Sequence, residues 1–169
     1  GVGKTVDELA QAIDAGIMQI NVESFPEMEA LSAIAEARGA EVEIAIRINP
    51  NVDAKTHGKI ATGRKQDKFG IDIENAVDAY RRAADLPGLK PTSVAVHIGS
   101  QLTSLDPFRA AFTRVAELVG VLRAEGHDIR RVDLGGGLGI DYDGTEPPSP
   151  AAYAKVVKET VGGLGCRVL

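Results

Sequence analysis

Four short runs in this chain alternate between aliphatic residues and polar or small ones. In the first, Met18, Ile20 and Val22 oppose Gln19, Asn21 and Glu23; in the second, Val42, Ile44, Ile46 and Ile48 oppose Glu43, Ala45, Arg47 and Asn49. The third sets Val94, Val96 and Ile98 against Ser93, Ala95 and His97, and the fourth sets Val132 and Leu134 against Arg131 and Asp133. A parallel sheet covered by helices on both faces is apolar on both, whereas a barrel covered only on its outside can turn a polar side inward. The pattern therefore predicts an α/β fold of the (β/α) TIM-barrel type. In such a barrel Glu23, Arg47, Asn49, His97 and Asp133, at or near the C-terminal strand ends, gather at one mouth.

Helical segments separate these runs. Thr5 with Glu8 forms a capping box ahead of Leu9, Ala10 and Ile13, and Gly16 stops that helix. Ser24, Pro26 and Glu27 open a second helix carrying Leu31, Ile34 and Ala35, which Gly39 ends. A third is expected over 74–85, and a longer one from Asp106 and Pro107 presents Phe108, Phe112, Val115, Leu118, Val119 and Leu122 on one face. Ser149 and Pro150 open a last helix, and a fifth strand is expected over 166–169. Strand, helix, strand, helix denotes parallel βα units. Five strands and 169 residues fall short of the eight strands and about 250 residues of a closed barrel. The expectation is an internal fragment, with residues 1–169 forming one partial barrel domain and both ends cut.

The net charge of −5 and an aromatic content of 4% leave no basic face to neutralise phosphates and little to stack bases on, which argues against nucleic acid. No apolar run approaches the roughly 20 residues of a membrane span, and no secretory leader is evident, so a cytoplasmic protein is expected. The single cysteine, Cys166, supports neither a disulfide framework nor a metal cluster and reads as a buried, inert thiol.

Three loops carry candidate chemistry. Asp133-Leu134-Gly135-Gly136-Gly137-Leu138-Gly139-Ile140 follows a strand with bare backbone. It is either an ordinary flexible turn or a loop that lets peptide N–H groups approach an anion. His97-Ile98-Gly99-Ser100-Gln101 places an imidazole, a glycine and a hydroxyl at another strand end. The 49–69 loop, with Asp53, Thr56, His57, Lys59, Thr62, Lys65 and Lys68, is long for a simple connection and reads either as an active-site lid or as a surface loop. Gly1-Val2-Gly3-Lys4-Thr5 also imitates the tail of a nucleotide-binding P-loop, although Asp7 and Glu8 would set carboxylates beside the phosphates.

Taken in order, Gly1-Val2-Gly3-Lys4-Thr5, Ile20-Asn21-Val22-Glu23-Ser24, Arg47-Ile48-Asn49-Pro50 with Val52-Asp53 and Thr56-His57, Thr62-Gly63, Lys68-Phe69-Gly70-Ile71, His97-Ile98-Gly99-Ser100-Gln101 and the glycine loop resemble the diaminopimelate decarboxylases over essentially the whole chain. The resemblance implies a pyridoxal-phosphate enzyme of the alanine-racemase-like barrel class, which takes one carboxylate from meso-diaminopimelate to give lysine and CO₂ in lysine biosynthesis. It implies further that His97 stacks on the cofactor ring, that Ser100, Gly135, Gly136 and Gly137 hold its phosphate, and that Arg47 lies near it. The 52–68 segment resembles the loop that covers the substrate, and the full-length enzyme is expected to be a homodimer acting on a small amino acid.

The resemblance also marks departures. The family's Schiff-base lysine belongs to a tyrosine-to-lysine strand motif that no lysine here matches, and the glutamate facing the pyridine nitrogen has no counterpart within the chain. The C-terminal β-domain, which supplies a cysteine and a tyrosine, is absent too, so the segment by itself is expected to be inactive. Ornithine and arginine decarboxylases share the histidine, serine and glycines; the opening Gly-Val-Gly-Lys-Thr and the motifs of the 52–71 stretch favour diaminopimelate. The remaining alternatives are a P-loop fragment and a non-enzymatic cofactor carrier.

Overall fold

A computed structural model describes residues 1–52, 69–142, 144 and 146–169. The element order is α1 (Val6–Asp14), β1 (Ile20–Val22), α2 (Phe25–Ala37), β2 (Val42–Asn49), β3 (Ile71–Asp72), α3 (Ala76–Asp85), β4 (Leu89–Ala95), α4 (Asp106–Ala124), β5 (Arg131–Asp133), α5 (Pro150–Thr160) and β6 (Arg167–Val168), with single 3₁₀ turns before α3 and after α5. The caps form as the sequence indicates. Thr5 Oγ1 accepts the Glu8 N–H at 3.2 Å while Glu8 Oε2 accepts the Thr5 N–H at 2.8 Å, and Ser24 and Ser149 cap α2 and α5.

The strands run parallel in the order β1-β2-β4-β5-β6, with β3 paired to the end of β2. Each main strand lies beside the next one along the chain, so the winding never reverses. A doubly wound sheet reverses its order at a switch point; a barrel does not. Curvature supplies the second proof. Asn21 Nδ2 donates to Asp133 Oδ2 at 2.7 Å, although β1 and β5 are three strand spacings apart. A flat sheet would hold them about 14 Å apart, so this sheet curls round its polar face.

That face is held by hydrogen bonds across the interior. Arg131 Nε donates to Gln19 Oε1 and to Ser93 Oγ, each at 3.0 Å, and its Nη2 donates to Thr92 Oγ1 at 2.8 Å and pairs with Glu43. Four side chains of the polar face thus converge on one guanidinium. The opposite face meets the helices: Val22, Ile44, Ile46, Val94 and Val132 are buried against Met28, Leu31, Ala79, Phe108, Val115 and Leu122. Between α4 and α5, Phe108 meets Tyr153 edge-on at 5.0 Å between ring centroids, and Phe112 meets it at 5.9 Å.

Strand limits differ from the sequence expectation chiefly at three places, and β6 is confined to Arg167–Val168 within the expected 166–169. β1 begins at Ile20, leaving Met18 44% exposed; β4 begins at Leu89 and ends at Ala95; and β3 was not anticipated. In β4 the register passes from Ile44↔Pro91 to Ala45↔Ser93, so Thr92 is an extra residue, a β-bulge.

Candidate functional site

The mouth is built where β4 and β5 stop. One more strand-like bond, Val96 N–H to Asp133 O at 2.8 Å, carries the pairing past β4, after which the 97–101 and 135–139 loops rise side by side. Leu102 N–H donates to Gly137 O at 2.8 Å and Gly139 N–H donates to Leu102 O at 2.9 Å, which rejoins the loops at their far ends. The loops form one unit.

The glycines permit this closeness. Gly137 has φ +104, and a Cβ there would lie 1.9 Å from Gly99 O; Gly135 has φ +66, and a Cβ there would lie 2.4 Å from Val96 O. Only glycine fits either position. At Gly136 a Cβ would meet nothing within 4 Å, so the middle of the loop is open on that side. Gly135 N–H donates to Asp133 Oδ1 at 3.0 Å, and Gly136 N–H reaches Nδ1 of His97 at 3.4 Å. A neutral His97 in this arrangement carries its proton on Nε2. His97, Ser100, Gly135 and Gly136 are exposed and Gly137 is half-buried. Sequence reasoning placed His97, Ser100 and the three glycines together, and the structure brings them together.

Arg47 stands one strand away. It pairs with Glu23 at 2.8 Å, its guanidinium lies over the Phe69 ring at 5.7 Å from the centroid, and its buried Nε has no partner among the described residues. Glu23 is itself buried, and its N–H donates to Glu27 Oε2 at 2.7 Å. Its contacts at the mouth are with Glu23 and Phe69 rather than with His97. Glu23 and Asp133, named from their strand positions, contact these neighbours: Glu23 pairs with Arg47, and Asp133 accepts from Gly135 N–H. Asn49 is buried, and its Oδ1 accepts the Asn51 N–H at 3.0 Å, which turns the chain out of β2.

Several expectations take a definite place away from this cluster. Lys4 Nζ donates to Asn21 O at 2.8 Å and pairs with Glu27 at 2.5 Å, while Thr5 caps α1. The P-loop reading gives way to this use of both side chains. Cys166 is half-buried rather than buried, with Sγ 3.1 Å from Nη2 of Arg123. The proposed lid over 52–68 lies outside the described residues apart from Val52. Among the described residues no group of histidine, cysteine, aspartate and glutamate could hold a metal, and no helix is long and apolar enough to cross a membrane. Sequence reasoning missed Gln101, whose side chain bridges to Ile140. No local signal marks it, because its partner lies on the other loop.

Comparisons with known proteins place the chain in a family. Residues 1–165 match the family model described as "Pyridoxal-dependent decarboxylase, pyridoxal binding domain". The diaminopimelate decarboxylase of Zymomonas mobilis is 47% identical over 171 residues, covering 100% of this chain and 41% of that protein. That of Pseudomonas aeruginosa is 45% identical over 163 residues, covering 96% of this chain and 39% of that protein. The crystal structure of diaminopimelate decarboxylase from Helicobacter pylori complexed with L-lysine superposes with a TM-score of 0.92 at 41% identity, covering 99% of this chain and 43% of that one. The chain spans about two fifths of the length of the curated relatives it matches.

Proposed function

We propose, from the premise that this chain belongs to the pyridoxal-dependent decarboxylases, that it forms the cofactor-binding part of a diaminopimelate decarboxylase, which converts meso-diaminopimelate to L-lysine and CO₂. The observation that carries the reading is the two-loop unit at the mouth, densely packed behind Gly135 and Gly137 and open at Gly136. Such a cradle suits a tetrahedral anion, because at Gly136 no Cβ covers the backbone and the long 3.4 Å contact of its N–H with His97 is readily exchanged for one to an anion. The residues present therefore fit pyridoxal phosphate.

In this reading Ser100 and the glycine N–H groups hold the phosphate, and His97 lies against the ring. Asp133 fixes the start of the glycine loop through Gly135 N–H. Arg47 contributes a fixed positive charge, steadied by the buried carboxylate of Glu23. When bound, the cofactor supplies an electron sink for the pair left as CO₂ departs. The protein's part is to orient the bond that breaks and to hold charges in place around it. The amine-reactive lysine, the carboxylate opposite the pyridine nitrogen and the β-domain belong, on this reading, to sequence other than these 169 residues. A small amino-acid substrate, a homodimer and a cytoplasmic setting go with it.

The test is CO₂ release by the longest gene product that contains this chain, offered meso-diaminopimelate, ornithine or arginine. Release from diaminopimelate alone is expected. Release from ornithine or arginine with none from diaminopimelate overturns the substrate assignment, and release from none of the three returns the chain to the cofactor-carrier reading.

A further inference from the structure

We propose that Gln101 is a positioning residue that sets the spacing between the two halves of the phosphate cradle, the loop bearing Ser100 and the loop bearing Gly135, Gly136 and Gly137. The inference rests on the cofactor site proposed above. An anion gripped from two loops is bound well only if the loops keep a separation good to about 0.5 Å. The sheet cannot enforce this, because β4 ends at Ala95 and β5 at Asp133, below the cradle.

What enforces it is a second, smaller ladder above the cradle. Leu102 and Leu138 form an isolated parallel bridge. Gln101 extends that bridge with its side chain. Its Oε1 accepts the Ile140 N–H at 3.1 Å, and its Nε2 donates to Ile140 O. The amide of Gln101 thus behaves as an additional peptide group, pairing with both polar atoms of one residue on the facing loop.

The backbone shows what this arrangement costs. Gln101 has φ +56, a left-handed conformation that is disfavoured for a residue with a Cβ. Such strain persists only where surrounding contacts over-determine it, and here the amide clamp on one side and the buried Leu102 on the other do so. Asparagine adopts this conformation more readily, but it is one methylene shorter and cannot reach both atoms of Ile140 from the same backbone.

The experiment uses the longest gene product containing this chain, freed of cofactor. Affinities are measured by fluorescence titration for pyridoxal phosphate and for pyridoxal, which lacks the phosphate. Gln101→Gly removes the clamp and relieves the strained φ, and Gln101→Met keeps the length without the hydrogen bonds. Both variants are expected to bind pyridoxal phosphate roughly tenfold more weakly, the loss associated with one or two hydrogen bonds, with pyridoxal affinity changed by less than about twofold. Unchanged affinity for pyridoxal phosphate in both variants overturns the proposal. So does an equal loss for both ligands, which would make Gln101 merely structural. A parent protein that binds pyridoxal phosphate no better than pyridoxal instead overturns the cofactor reading itself, and the inference with it.

Discussion

Asp133 is hydrogen-bonded on both carboxylate oxygens: Oδ2 accepts from Asn21 Nδ2 at 2.7 Å across the barrel interior, and Oδ1 accepts from Gly135 N–H at 3.0 Å at the root of the glycine loop. One carboxylate therefore links the curl of the sheet to the position of the cradle. Asp133→Ala strands two donors and is expected to cost about 2–3 kcal/mol, and Asn21→Ala about 1–2 kcal/mol. Urea unfolding of the two single variants and the double variant measures the coupling. Additive losses would show that the bond contributes nothing to stability.

Alanine at Gly137 and at Gly136 should behave oppositely. At Gly137 the new Cβ meets Gly99 O and the φ of +104 is hostile to side chains, so a loss of more than about 3 kcal/mol is expected. At Gly136 the Cβ meets nothing, so Gly136→Ala should melt within about 1 kcal/mol of the parent while binding inorganic phosphate more weakly. Thermal melts together with a phosphate titration read both effects. Equal melting losses at the two positions would contradict the packing described here.

Stability should fall in two stages on acidification. Burial holds the His127 imidazole below its ordinary value of 6.5, so the unfolded chain takes up that proton first and stability starts to fall as the pH drops below about 6.5. The Arg131 hydrogen bond holds the Glu43 carboxyl below its ordinary 4.5. Its contribution is complete above that value and is lost as the pH falls through the lowered one. Melting temperature against pH should therefore flatten below pH 6.5 in His127→Gln, and below 4.5 in Glu43→Gln. An unaltered profile in both variants would refute these assignments.

Borohydride treatment of the 169-residue segment with pyridoxal phosphate should leave no stoichiometric adduct at a single lysine, as judged by peptide mass spectrometry. Lys4, the lysine beside β1, is already engaged by Glu27 and Asn21 O. A clean adduct at one site would show that the reactive lysine lies within this chain.

The barrel was legible because a period-2 pattern survives wherever one sheet face is polar, and Glu43, Arg47, Ser93, Arg131 and Asp133 keep it along three strands. The same alternation placed Arg47 and Glu23 on the polar face without saying that they pair, since partners on neighbouring strands leave no trace in either strand alone. β3 is two residues long and too short for any period to register. The start of β4 was blurred by Lys90 and Pro91, which interrupt the alternation. His97, Ser100 and the glycines were found because each loop is chemically conspicuous. Gln101 was not, because its work depends on a residue 39 positions away.

The bulge at Thr92 governs which way His97 points. Counted without it, Ala45 would face Thr92 and Arg47 would face Val94, and the inward set of β4 would continue through Val96, leaving the imidazole among the helices. One inserted residue shifts the phase of everything after it by half a pleat, turning valines outward and presenting Ser93, Ala95 and His97 to the interior. The side on which His97 leaves β4 thus hangs on a parity, odd or even, set five residues earlier at Thr92.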